Sequence, residues 1–153
     1  MQRQIINVLV IDDEAEVRTM LSTILFDEGY SVETAENGKK AIKICEKTPF
    51  DVALIDIELP DIKGTELLRS LKEIQPKIVN IIVTGHPSVE NAVKAVNEKA
   101  DAYILKPFNV PLLLETIKKN LTEKTNSYFQ MFTEVERAKQ NTPLFKYQHP
   151  DKW

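Results

Sequence analysis

Ile5-Ile6-Asn7-Val8-Leu9-Val10-Ile11-Asp12-Asp13-Glu14 is the stretch on which the fold turns. Apart from Asn7 the first seven residues are aliphatic and mostly β-branched. A run this continuous fits a strand covered on both faces in a parallel sheet, because a half-exposed strand would alternate apolar with polar. It stops abruptly at two carboxylates. The same character returns at Tyr30 to Ala35, Val52 to Ile55, Ile78 to Val83 and Ala102 to Leu105, which gives five strands.

The stretches between them have helical spacing. Val17, Met20, Leu21, Ile24 and Leu25 recur at steps of three and four, as do Ala41, Ile42, Ile44 and Cys45. Leu67, Leu68, Leu71 and Ile74 form a third set, Val89, Ala92, Val93 and Val96 a fourth, and Leu113, Leu114, Ile117 and Leu121 a fifth. Strict alternation at ~20 to 25 residues per unit, joined by right-handed crossovers, predicts an α/β doubly wound parallel sheet with helices on both faces. Ligands of such sheets sit beyond the carboxyl ends of the strands, where the strand order reverses.

Composition narrows the chemistry. The 153 residues are 42% hydrophobic and 28% charged, an ordinary globular composition sized for about one domain. No apolar run approaches the ~20 residues of a membrane span, and the start has no signal-peptide pattern, so the expectation is a cytoplasmic protein without a membrane partner. A net charge of −3 gives no overall footprint for nucleic acid. One cysteine and two histidines cannot build a Cys/His zinc site or an internal disulfide. Gly29, Gly38, Gly64 and Gly85 fit neither a P-loop nor a dinucleotide fingerprint.

Four strand ends carry polar groups that packing does not require. Asp12 and Asp13 follow the first strand, Asp56 the third, Thr84 the fourth and Lys106 the fifth. Parallel strands bring these ends to one rim, so three carboxylates, a hydroxyl and an ammonium converge. Carboxylates so close repel one another and call for a cation. Mg²⁺, a hard ion that keeps several of its waters, suits an all-oxygen site.

Four stretches then resemble one family. Val-Leu-Val-Ile-Asp-Asp-Glu (8 to 14), Ala-Leu-Ile-Asp-Ile-Glu-Leu-Pro-Asp-Ile-Lys-Gly (53 to 64), Ile-Ile-Val-Thr-Gly-His (81 to 86) and Ala-Tyr-Ile-Leu-Lys-Pro-Phe (102 to 108) are similar to the receiver domain of two-component response regulators. The resemblance covers about residues 4 to 121. It implies a flavodoxin-like sheet of order 2-1-3-4-5. It makes Asp56 the phosphoacceptor, Asp12 and Asp13 the acidic pair that organises Mg²⁺, and the Glu58 backbone carbonyl a further metal ligand. Thr84 matches the switch hydroxyl, Lys106 the lysine of the site and Tyr103 the aromatic switch, with Glu58 and His86 placed to tune dephosphorylation. The implied partner is a histidine kinase or phosphotransfer protein. The implied output surface is the face made by the fourth helix, fifth strand and fifth helix, which is also a candidate homodimer contact. Such a protein catalyses its own phosphorylation and dephosphorylation without being a conventional enzyme.

Plainer readings stand beside these. One of Asp12 and Asp13 is explained as a helix cap, but two are not. Asp56 precedes a turn, Leu59-Pro60-Asp61, that already has its own solvated polar residues. Thr84-Gly85 alone is a turn, Tyr103 alone a strand residue, and His86 alone a polar loop residue. Lys106 precedes Pro107, which holds it extended and makes that peptide a candidate for cis. Cys45 reads as a small core residue. Two rival functions remain. A haloacid-dehalogenase-like phosphotransferase would use Asp56 with Mg²⁺, yet has Glu58 where a second aspartate belongs and no task for Asp12 and Asp13. A pseudo-receiver would keep the fold as an interaction module without phosphorylation.

Residues 122–153 read as a C-terminal extension. They hold six of the eleven aromatics, and Tyr128, Met131, Phe132, Val135 and Ala138 predict a sixth helix over 126–140, capped by Asn126 or Ser127, before an irregular tail. Its stripe suits docking or self-association. About 32 residues are too few for an output domain, which predicts a stand-alone receiver or a receiver that stops before its output domain.

Overall fold

The computed structural model describes residues 4–86 and 88–141. Five strands, β1 (Asn7–Ile11), β2 (Ser31–Ala35), β3 (Val52–Ile55), β4 (Val79–Thr84) and β5 (Ala102–Leu105), alternate with α1 (Ala15–Asp27), α2 (Gly38–Lys47), α3 (Gly64–Ile74), α4 (Val89–Asn97) and α5 (Val110–Asn141). All neighbouring strands pair in parallel, in the order β2-β1-β3-β4-β5. This is the doubly wound α/β sheet that the alternation predicts.

The unbroken apolar run of β1 has its reason in the two layers. Val8 and Val10 face a cluster with Leu21 and Leu25 of α1 and Leu113 and Ile117 of α5. Leu9 and Ile11 face the opposite cluster, with Ala41 and Cys45 of α2, Leu67, Leu68 and Leu71 of α3, and Ala95 of α4. Each such leucine or isoleucine, fully enclosed, contributes about 1.5–3 kcal/mol. Helices cover both faces, so the sheet leaves its carboxyl-terminal rim as the open side for polar groups. No helix among the described residues is long and apolar enough to cross a membrane.

The chain divides into two units, residues 1–121 and 122–153. The expected sixth helix over 126–140 is not a separate element, because α5 is assigned from Val110 to Asn141. Residues 122–125, Thr-Glu-Lys-Thr, contain neither glycine nor proline, so nothing in the sequence ends the helix before Asn126 and no cap is needed there. Within the extension Phe129, Met131 and Val135 are exposed. The side chains of Tyr128, Phe132 and Ala138, and residues 142–153 with Phe145, Tyr147 and Trp153, lie outside the described residues.

Candidate functional site

Backbone ladders set the site before any side chain does. Beyond β1 the Asp12 amide donates to the Ala35 carbonyl (3.1 Å), beyond β3 the Asp56 amide donates to Ile11 (3.0 Å), and beyond β5 the Lys106 amide donates to Thr84 (2.8 Å). Each of the three residues is thus the first one past its strand, held in register by its neighbour. The Lys106–Pro107 peptide is cis.

The side chains then meet. Asp12 and Asp56 are only 3% and 4% exposed. Asp13 is exposed, and one carboxylate oxygen from each of Asp12, Asp13 and Asp56 lies within 4.8 Å of the others. The Lys106 ammonium sits 2.6 Å from Asp12 Oδ2 and 3.2 Å from Asp56 Oδ2. The other oxygens accept backbone amides: Asp12 Oδ1 from Glu14 at 2.9 Å and Asp56 Oδ1 from Glu58 at 3.1 Å. Asp12 therefore serves the start of α1 as well as the cluster, while Glu14 at the helix boundary makes no side-chain cap.

Burial is the largest influence on Asp56 and lifts its pKa. The Glu58 amide and the Lys106 charge pull it back, the Asp12 charge pushes it up again, and the net direction is upward. Burial pushes Lys106 down, but its hydrogen bond to Asp12 and the charges of Asp56 and Asp12 outweigh it, so the ammonium is held above the ordinary lysine range. Three carboxylates against one ammonium leave the cluster able to take positive charge. Its donors are all oxygens, two of the carboxylates buried and one open to water, which fits a small hard cation that keeps part of its hydration.

The remaining expected residues are placed differently. Glu58 joins through its backbone amide, its side chain exposed. Thr84 is fully buried at the end of β4, and its Oγ1 accepts from the His86 amide at 3.1 Å rather than meeting the carboxylates. The Tyr103 ring packs partly buried against the α2–α3–α4 side of the core, and its hydroxyl is enclosed without a partner among the described residues. Burial raises the pKa of that hydroxyl. His86 is exposed.

Three contributors were not apparent from the sequence. Arg18, one turn into α1, donates from Nη1 to the Asp12 carbonyl at 2.8 Å. Gly64 closes the β3–α3 loop by donating to the Ile57 carbonyl at 3.0 Å. A Cβ on Gly64 would lie 2.2 Å from the Asp56 carbonyl oxygen and 2.8 Å from Ile57 Cα, so only glycine fits against the backbone of the candidate nucleophile. The scarcity of glycine in the chain was the available signal. Asp61, expected in a solvated turn, accepts three backbone amides instead, from Gly38, Lys39 and Ile62.

Comparisons with known proteins agree with this geometry. The family model of the response regulator receiver domain matches residues 8–118. A CheY-like receiver domain protein from Methanospirillum hungatei JF-1 superposes with a TM-score of 0.79 at 40% identity, covering 81% of this chain and 99% of that one. A response regulator from Burkholderia pseudomallei, solved with a phosphorylated aspartic acid, a calcium ion and citrate, gives 0.71 at 32% identity over 89% of this chain and 75% of that one. An NtrX-like response regulator of Rickettsia bellii is 36% identical over 117 residues, 75% of this chain and 24% of that protein. The chain thus spans about a quarter of the length of such curated relatives. Strand order, rim chemistry and sequence likeness converge, and the chain belongs to the response regulator receiver domain family of two-component systems.

Proposed function

We propose that residues 4–121 act as a phosphoacceptor switch, with Asp56 taking a phosphoryl group from a phosphohistidine of a histidine kinase or phosphotransfer protein. The observation that carries this reading is the pair of buried carboxylates, Asp12 and Asp56, sharing the half-buried Lys106 ammonium, with Asp13 beside them at the rim. An Asp56 oxygen forms the bond to phosphorus as the bond from phosphorus to the donor imidazole nitrogen breaks, the electron pair leaving with nitrogen. The transition state is loose, so the protein's task is alignment and neutralisation of charge. Glu58 N–H fixes one Asp56 oxygen, and Lys106 stands beside the other to meet a phosphoryl oxygen through a charge-assisted bond.

Receiver domains bind Mg²⁺ at their acidic pocket. Here Asp12, Asp13, Asp56 and the Glu58 carbonyl would hold it, and when bound it supplies further positive charge to the phosphoryl oxygens. In the phosphorylated state the Thr84 hydroxyl turns to a phosphoryl oxygen, and Tyr103 responds to the space left behind β4. The surface of α4, β5 and α5 then shifts population by ~1–3 kcal/mol of coupling. On that surface Val89, Val93, Val96 and Leu105 are exposed, as a surface read by partners or by a second copy requires. Glu58 and His86, both exposed, are placed to tune phosphate loss.

Intact-protein mass after incubation with a small acyl phosphate and Mg²⁺ tests the reading. One phosphoryl adduct, absent in Asp56→Asn and absent without metal, supports it. No adduct with any donor makes the chain a pseudo-receiver, and sustained turnover of a small phosphate ester favours the haloacid-dehalogenase-like reading.

A further inference from the structure

The loop between β3 and α3 carries Glu58, whose amide holds Asp56, and it is tied at two places. At its base Gly64 N–H bonds the Ile57 carbonyl at 3.0 Å. At its far end the Asp61 carboxylate reaches a different element. Asp61 Oδ1 accepts the Gly38 amide at 2.9 Å and Oδ2 the Lys39 amide at 2.8 Å, both in the first turn of α2, while Oδ1 also accepts Ile62 N–H at 2.9 Å. A carboxylate at a helix N-terminus meets both the free amides and the positive end of the dipole. Helix α2 already has a local cap, since Asn37 Oδ1 accepts from Lys40 at 2.8 Å. Asp61 takes the Gly38 and Lys39 amides that Asn37 leaves over, and it does so from another element, which ties the β3–α3 loop to α2.

A second observation shows how close the two elements come. A Cβ on Gly38 would lie 2.3 Å from Ile62 Cγ1 and 3.3 Å from Asp61 Oδ1, so the Ile62 side chain would have to move to admit a side chain at the first residue of α2. Leu59 and Ile62 of the same loop pack against the core cluster that Ala41 and Cys45 of α2 enter. The loop is held by a charged bond on one side and apolar contact on the other.

We propose that Asp61 is a positioning residue for the rim site: it fastens the loop to α2 so that the Glu58 backbone keeps its place beside Asp56. Its role toward the cation rests on the phosphoacceptor reading. Ligand-supporting residues outside the immediate coordination shell commonly change metal affinity by about 10–100-fold when removed. Asp61 is exposed, so its replacement leaves the core intact.

The test uses the whole chain with Asp61→Ala, Asp61→Asn and Asn37→Ala. Hydrogen exchange of the Glu58 amide is measured without metal, and Mg²⁺ affinity by calorimetry. Asp61→Ala should speed Glu58 exchange and weaken Mg²⁺ by about tenfold, with Asp61→Asn between it and wild type because its amide keeps one acceptor oxygen. Asn37→Ala should lower the unfolding temperature while leaving both readouts at wild type. Unchanged exchange and affinity in Asp61→Ala, or equal changes in Asn37→Ala, would overturn the proposal by reducing Asp61 to a helix cap. A wild-type chain that bound no Mg²⁺ would instead overturn the phosphoacceptor reading, and the Glu58 exchange rates would still decide whether Asp61 holds the loop.

Discussion

The two rims of the sheet use the same residue type for opposite ends. At the amino-terminal rim, Asp51 before β3 accepts the Asn7 amide and Asp101 before β5 accepts the Asn80 amide, each at 2.8 Å. Gln75 works beside them, accepting from Phe50 N–H and donating to the Cys45 and Thr48 carbonyls, all at 2.8 Å. These groups fasten entering strands through neutral backbone partners. At the carboxyl-terminal rim Asp12 and Asp56 each give one oxygen to a backbone amide and the other to the same half-buried ammonium. An aspartate at a strand end is thus no functional signal by itself. Two buried carboxylates sharing one oppositely charged partner are what distinguish the site, because that arrangement responds when charge is added.

The largest expected effect separates the rims outright. Asp56→Asn should abolish the phosphoryl adduct in the mass measurement, whereas Asp51→Asn, whose side-chain oxygen still accepts the Asn7 amide, should give as much adduct as wild type. Equal loss in both would erase the distinction. Next comes Gly64→Ala, which drives a methyl into the backbone of Asp56 and Ile57 and should cost about 3 kcal/mol in denaturant unfolding. A cost below ~1 kcal/mol would show that the loop can yield.

Smaller effects sharpen the contrast. Asp51→Ala leaves the Asn7 amide without its acceptor, and should lower stability by about 1–3 kcal/mol while the adduct still forms. Asp56 carries the opposite sign. Its pKa is raised in the folded chain, first by burial, so the folded state holds the proton more tightly than the unfolded one. Stability of the metal-free protein should therefore fall as pH climbs from about 3.9, the unfolded value, through the folded pKa. Asp56→Asn should remove that slope and leave the chain more stable than wild type at neutral pH, and a destabilised variant would contradict it. Least visible is Cys45, whose thiol is pushed up to about 11, first by burial and then by Glu33. At neutral pH only about one thiol in 10⁴ is ionised, so a thiol reagent should label Cys45 no faster than the chain unfolds. Rapid labelling of the native protein would contradict that placement.

Much of the site was legible because parallel strands end on one rim. Asp12, Asp13, Asp56 and Lys106 could be gathered from Val8–Glu14, Ala53–Gly64 and Ala102–Phe108 without coordinates. Thr84 was placed correctly at the end of β4, yet its hydroxyl bonds the His86 amide, a local turn contact that strand-end reasoning does not anticipate. Asp61 stands beside a proline in what reads as a turn, and nothing local announces that its partners lie more than twenty residues earlier. The continuation of α5 past Leu121 was misread in the other direction. The change in composition coincides with the border between the two compact units, but it does not end the helix, because no glycine or proline interrupts the backbone there.

The sequence by itself determined the five strands, their burial on both faces, the helices between them and the set of charged residues on the rim. These follow from periodicity and side-chain chemistry, which are local properties. Only the tertiary structure decided which carboxylates serve the backbone and which share Lys106. It also decided that Lys106 lies nearer Asp12, 94 residues away, than Asp56, that Gly64 packs against the backbone of Asp56, and that Asp61 reaches the first turn of α2. Those choices depend on strand register and on how closely backbones approach, and neither distance exists until the sheet has formed.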